Sequence, residues 1–192
     1  IYNTLNSVSC MALLHQENEI SQVLGSLTKV IRYNLKKPDA IVHLEEELEN
    51  IYSWCRIQEC CYEQSIRFSY DIQVPADQIK IPKLIIQPLI ENAVVHGANF
   101  AGEDARICLH IWMEGKCLYI VVWDNGTDVD TDRINRLACG KGEVCSDSLG
   151  VRNVYERIRL RYGSAGQMRF EQDEEHHTLV QIVIPAEMDQ SL

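Results

Sequence analysis

The 192-residue sequence predicts an α+β fold: a two-layer α/β sandwich, its mostly antiparallel sheet covered by helices on one face, preceded by a helical segment. Two observations carry this expectation. Up to about residue 65 apolar residues recur at helical spacing, and beyond it alternating apolar runs are interleaved with two further helical stretches. The chain therefore divides into residues 1–64 and 65–192.

In the first part Leu5, Val8 and Ala12, and then Ile20, Val23, Leu27, Val30 and Ile31, fall on helix faces. Pro38 and Asp39 mark a break. Leu44, Leu48, Ile51 and Cys55 then define a helix from His43 to Gln64, which opens with Glu45-Glu46-Glu47, acidic residues suited to an N-terminal turn. Two or three amphipathic helices cannot close a core alone. They pack on each other, on a second copy of the chain, or on the strands and helices beyond residue 65. In the second part Ile66–Val74 reads as a strand ending at Pro75. Arg106–Met113 and Lys116–Trp123 alternate through Ile107, Leu109, Ile111 and through Leu118, Ile120, Val122, with a tight hairpin at Glu114-Gly115. Met168 with Phe170, and Val180, Ile182 and Ile184, supply the last strands. Helices are expected up to His96 and from Gly150 to Tyr162.

Composition excludes several functions. With 18 basic against 28 acidic residues, a net charge of −10 argues against sequence-independent binding of nucleic acid or of an anionic membrane. No apolar run reaches the roughly twenty residues of a membrane span, and no leader opens the chain, so the piece is expected to be soluble. It starts at Ile1 in mid-pattern, as an excised part of a longer protein would. The eight cysteines lie inside helix-like and strand-like runs, without the spacing of a disulfide framework. No Cys-x-x-Cys occurs and His176-His177 has no partner at metal-ligand spacing, so the cysteines read as reduced thiols used as small apolar residues.

Three segments carry chemistry. An apolar helix at 85–97 bears Glu91, Asn92 and His96, with Asn92 and His96 four apart on one face. The strand Tyr119–Trp123 ends in Asp124-Asn125-Gly126, and a glycine-containing loop leads to Leu149-Gly150-Val151-Arg152-Asn153-Val154. The Asn92 amide oxygen is a hard, uncharged ligand suited to Mg²⁺ shared with phosphates and waters, and Glu91 can orient a nucleophile or accept its proton. Asp124 can accept from the exocyclic amine of adenine, while Gly126 lets backbone approach the base. Gly150 at a helix opening can set N–H groups against phosphate. Singly, each has a plainer explanation: Asp-Asn-Gly is commonly a turn, and an Asn on an apolar helix a satisfied core amide.

In this order, residues 81–97, Asp124-Asn125-Gly126 and 149–157 resemble the N, first-glycine and second-glycine boxes of sensor histidine kinases of the LytS/YehU type, in the GHKL or Bergerat ATP-binding superfamily. Tyr2-Asn3-Thr4-Leu5-Asn6 resembles the end of that family's Pro-His-Phe-Leu-Phe-Asn-Thr-Leu-Asn motif. Leu44-x-x-Glu47-Leu48 and Arg161-Tyr162-Gly163 also fall where such kinases have similar runs. The resemblance covers nearly the whole chain.

It implies a Bergerat ATP-binding domain at 65–192 and, at 1–64, the C-terminal part of a dimerisation and phosphoacceptor region. Asn92 is then the Mg²⁺ ligand, Glu91 the acidic residue assisting transfer, and His96 with Gly97 a contact near the phosphates. Asp124 binds the adenine amine, Gly126 lines the base pocket, and Gly150, Val151 and Asn153 border the phosphates at a lid spanning Gly140 to Ser148. The implied reaction moves the γ-phosphoryl group of ATP to a histidine, and then to an aspartate on a response-regulator receiver domain. The acceptor histidine of the motif would lie two positions before Ile1. His15 and His43 read as structural, so the piece alone is expected to bind ATP without phosphorylating itself. The implied parent is a bacterial, homodimeric, membrane-anchored protein whose catalytic part is cytoplasmic and meets the membrane only through segments outside this sequence.

Three departures from the pattern bear on affinity and packing. Asp128 and Ser148 stand where the family's boxes carry glycines, adding side chains and a charge near phosphate. Cys60-Cys61-Tyr62 stands at a common Arg-Phe pair. Two rivals compete with the kinase: a degenerate scaffold that dimerises and relays signal without ATP chemistry, and a GHKL ATPase or serine kinase of the anti-sigma kind sharing the pocket.

Overall fold

The computed structural model describes residues 2–35, 37, 39–61, 66–97, 105–126, 130–138 and 149–189, the backbone alone at 96–97 and 137–138. Helices α1 (Tyr2–Leu14) and α2 (Asn18–Asn34) pack as a hairpin, joined by the Ser9 and Ser21 hydroxyls at 2.8 Å. Gln16, in the left-handed region at φ 62°, ends α1, and the Glu17 N–H returns to the Ala12 carbonyl at 2.9 Å. Several apolar side chains of this hairpin face outward, with Leu14 83% and Met11 59% exposed.

Short strand β1 (Ile41–His43) leads into α3 (Leu44–Cys61). Strands β2 (Ile66–Ile72) and β3 (Ile79–Pro82) come next, then α4 (Gln87–Gly97), β4 (Ala105–Glu114), β5 (Cys117–Asp124), α5 (Thr131–Ala138), α6 (Leu149–Tyr162), β6 (Gln167–Gln172), β7 (Thr178–Pro185) and β8 (Glu187–Met188). The main sheet has the order β2-β4-β5-β7-β6, with β2 parallel to β4 and every other pairing antiparallel. A smaller sheet, β1-β3-β8, joins the chain before α3 to its last strand. The α+β architecture is the expected one, with helices packed against one face of a mostly antiparallel sheet.

Strict alternation places Ile107, Leu109 and Ile111, Leu118, Ile120 and Val122, and Val180, Ile182 and Ile184 on the covered face. Leu44, Leu48, Ile51 and Cys55 of α3 join the same core, as do Leu89 and Ile90 of α4 and Val154 and Ile158 of α6. The opposite face is aromatic, Trp112 stacking on Tyr119 with centroids 5.0 Å apart. The β4–β5 hairpin closes through Gly115-Lys116 beyond the Glu114–Cys117 pair, and Gly115 sits at φ 61°, a conformation glycine adopts without cost. On edge strand β6 both backbone groups of Phe170 bond the Asn135 amide of α5, each at 2.8 Å, which blunts that edge.

A buried acid ties the helical hairpin to the turn that precedes α4. Glu47 of α3 is fully buried and accepts hydrogen bonds from the Leu84 N–H at 2.9 Å, the Ile86 N–H at 3.2 Å and the Tyr33 hydroxyl of α2. Burial pushes its carboxyl up, opposed by these donors and by the Gln87 N–H. The Tyr33 hydroxyl is driven well above the ordinary phenol range by burial and by the Glu47 charge, so it stays protonated and donates. Removing the acceptor leaves several buried donors unpaired. Glu47→Ala is expected to destabilise the fold by about 3 kcal/mol and Tyr33→Phe by about 1 kcal/mol, read from urea unfolding midpoints.

Candidate functional site

Helix α4 lies across β4 and β5. Its apolar stripe, Leu89, Ile90, Ala93 and Val94, is sunk in the core, which leaves Glu91 and Asn92 half-buried at the rim. The N-terminal turn is held from α3: Glu47 takes the backbone N–H groups and Asn50 Nδ2 donates to Gln87 Oε1. Gln87 Nε2 in turn donates to Glu91 Oε1 at 2.6 Å. His96 and Gly97 complete α4 in backbone, and anything further of them lies outside the described residues.

Asp124 ends β5, 5% exposed and in register with Thr178 of β7. Its Oδ1 accepts from the Gly126 N–H at 3.0 Å, and the Thr178 hydroxyl donates to the Gly126 carbonyl at 3.4 Å. Asn125 prolongs the ladder, its Oδ1 accepting from the Arg106 N–H at 2.7 Å while its own N–H reaches the Arg106 carbonyl at 3.2 Å. Burial pushes the Asp124 carboxyl up to about 7, with the Gly126 N–H and nearby His177 pulling it back. Sequence reasoning missed Thr178, Asn50 and Gln87. Thr178 had one available signal, a hydroxyl on the inward face of a strand whose other inward residues are Val180, Ile182 and Ile184.

Helix α6 opens against α4, since a Cβ on Gly150 would stand 3.6 Å from Pro88 Cβ. Gly150 and Asn153 are exposed, and Val151 is buried in the core at 4% exposure. Arg157 of α6 donates to the Lys83 carbonyl at 3.1 Å, fixing α6 to the turn that precedes α4. The expected lid, Gly140 to Ser148, and Asp128 lie outside the described residues. The arrangement thus offers a buried hydrogen-bonding carboxylate at a strand end, and a half-buried carboxylate and amide on the adjoining helix. Among the described residues no group of three or more His, Cys, Asp or Glu side chains could hold a metal ion, and no helix is long and apolar enough to cross a membrane.

This sheet-and-helix scaffold, with an acid at a strand end and an acid-amide pair on the helix above it, is that of a GHKL-type ATP-binding domain. Residues 1–66 match the family described as histidine kinase, and residues 76–188, more than half of the sequence, match the histidine kinase-, DNA gyrase B- and HSP90-like ATPases; the chain belongs to this ATPase family. It is 31% identical to the sensor histidine kinase YesM of Bacillus subtilis, over 96% of this chain and 31% of that protein. It is 29% identical to the sensor histidine kinase YpdA of Escherichia coli, over 88% of this chain and 29% of that protein. The chain thus spans about a third of the length of these relatives. Among solved structures, the catalytic domain of histidine kinase ThkA superposes with a TM-score of 0.58 at 17% identity, covering 78% of this chain and 96% of that one. The mycobacterial sensor kinase MprB gives 0.56 at 15%, covering 78% and 99%.

Asp124 also sets a pH dependence. Its folded pKa lies above the unfolded value of 3.8, so the folded chain holds a proton that the unfolded chain releases. The stability from this residue is therefore fully present below the unfolded pKa and is lost as pH rises through about 7. Relative to Asp124→Asn, the wild-type unfolding free energy is expected to fall across this window by on the order of 4 kcal/mol, measured by denaturant titration at stepped pH.

Proposed function

We propose that this chain is the catalytic ATP-binding region, with part of the dimerisation and phosphoacceptor region, of a LytS/YehU-type sensor histidine kinase. The observation that carries the reading is the buried Asp124 beside Thr178 and Gly126, in the same scaffold as Glu91 and Asn92. In it the ionised Asp124 accepts from the adenine amine, with the Gly126 backbone close enough to pack on the base. His96, Gly97, Gly150, Val151 and Asn153 border the phosphates, where the opening of α6 favours negative charge. Val151 does so through its backbone, since its side chain is in the core.

Mg²⁺ fits the chemistry of a half-buried Asn92 amide oxygen, a hard, uncharged donor suited to an ion that also takes phosphate oxygens and waters. When bound it neutralises charge on the phosphates, and Asn92 is the residue that holds it. Glu91 orients the attacking histidine and takes its N–H proton as the N–P bond forms and the bond to ADP breaks. The rest of catalysis is positioning. The acceptor histidine stands two positions before Ile1, and the phosphoryl group passes from it to a response-regulator aspartate.

The outward-facing Met11, Leu14 and Ile20 of the hairpin support homodimerisation of the parent through residues 5–31. Functionally we divide the chain into 1–64 and 65–192, with α3 belonging to the first by sequence and to the sheet's core by packing. The catalytic part is cytoplasmic in a membrane-anchored parent.

Calorimetric titration with Mg-ATP tests the pocket without the upstream histidine. Saturable binding is expected, tighter with magnesium than without it, lost in Asp124→Ala and, in the wild type, weakening as pH falls below about 7 while Asp124 takes up its proton. An absence of binding by the wild-type chain at millimolar nucleotide would favour a scaffold that relays signal without ATP chemistry.

A further inference from the structure

We infer that Gln87 and Asn50 are positioning residues for the transfer step, forming a two-amide relay that orients the Glu91 carboxylate from helix α3. The inference rests on the proposed role of Glu91. Gln87 is 4% exposed and Asn50 3% exposed, so neither amide has water as an easy substitute partner. Gln87 stands one helical turn before Glu91, and its Nε2 donates to Glu91 Oε1 at 2.6 Å, a charge-assisted length. Oε1 is the Glu91 oxygen engaged among the described residues, which leaves Oε2 for the site.

The polarity of the chain is set by the carboxylate. An ionised carboxylate only accepts, so the Gln87 amide must present nitrogen to it and oxygen to Asn50. Asn50 must then present its Nδ2, and it does. The consequence is visible at the far end: Asn50 Oδ1 is buried without a hydrogen-bond partner among the described residues. A residue serving only to fill the α3–α4 interface has no reason to carry an amide with one orphaned oxygen, which costs free energy. An amide that must act as a donor toward Gln87 does. Glu47, one turn earlier on α3, fixes the backbone of the same α4 turn, so the relay has a rigid base.

The test uses the kinase extended upstream through its acceptor histidine. Three quantities are followed: the Mg-ATP dissociation constant, the first-order rate of phosphohistidine formation at saturating Mg-ATP, and the thermal melt. Gln87→Met removes both bonds at similar volume. Asn50→Asp keeps the shape but can only accept, so it draws Gln87 Nε2 toward itself and turns the Gln87 oxygen onto Glu91. Asn50→Leu removes the donor without forcing that reversal.

Gln87→Met and Asn50→Asp are expected to slow transfer by about 10–100-fold with nucleotide affinity within about threefold of wild type. Asn50→Leu is expected to slow it less than Asn50→Asp, although Asp is the closer mimic of Asn in shape. Wild-type rates in both Gln87→Met and Asn50→Asp, beside a Glu91→Gln variant that has lost transfer, would overturn the relay and leave the role of Glu91 standing. Undiminished transfer in Glu91→Gln would overturn that role and the relay with it. Rates that fall only in step with affinity and melting temperature, Asn50→Leu the worst, would show a structural contact and also overturn the relay.

Discussion

The Glu47 carboxylate is the constraint on which the arrangement of helices depends. An acid with no solvent contact must be surrounded by donors, and here they come from different parts of the chain: a phenol of α2 and the amides of the turn before α4. Leu84 adopts a left-handed conformation at φ 59°, costing about 1 kcal/mol, and in that turn the N–H groups of Leu84 and Ile86 both reach the acid. The acid also sits where the α4 dipole is positive. Because the donors are few and fixed, α3 and α4 cannot slide past each other without exposing an unpaired charge. Lys83 and Arg157 reinforce the same spot, Lys83 Nζ reaching the Asn34 carbonyl at 3.3 Å and Arg157 holding the Lys83 carbonyl. Three helices thereby converge on residues 83–87, one turn ahead of Glu91 and Asn92.

The other half of the site is held by the sheet. Asp124 is kept at the end of β5 because Asn125 continues the ladder to Arg106, so a carboxylate that prefers water is retained in a nearly dry position. Its raised pKa, near 7, is the cost of that placement. One wall is thus set by strand pairing and the other by the buried acid of α3, and the two meet where α4 lies on β4 and β5.

The parts of the fold legible in the sequence were those governed by period. Alternation marks β4, β5 and β7 to within a residue or two, and the end of α6 at Tyr162 is where the apolar period stops. Strands β1, β3 and β8 are two to four residues long and have no measurable period; they exist because the chain ends of the domain meet. The break between α1 and α2 carries neither glycine nor proline, Gln16 taking the left-handed position instead. Helix α5, Thr131–Ala138, is too short and polar for its period to announce it. Glu47 stands out in sequence only as one of three adjacent acids suited to a helix start. Its burial is a tertiary fact, created by Tyr33 and the 83–87 turn, and nothing local distinguishes it from Glu45 or Glu46. Asp124, Glu91 and Asn92 stand in contiguous motifs, which is why the sequence offers them as candidates; Thr178 and Asn50 make their contacts through pairings across 54 and 37 residues respectively, invisible to any window.

In the proposed function a nucleotide binds between the Asp124 end of β5 and the Glu91-Asn92 rim of α4. Amide resonances of the isotopically labelled chain, followed during titration with Mg-ATP and with ATP in excess chelator, test it most directly. Shifts are expected at Asp124, Asn125, Gly126 and Thr178 with either form of nucleotide, and at Glu91 and Asn92 only with magnesium. Perturbations confined to the aromatic outer face of the sheet or to the α1–α2 hairpin would contradict it.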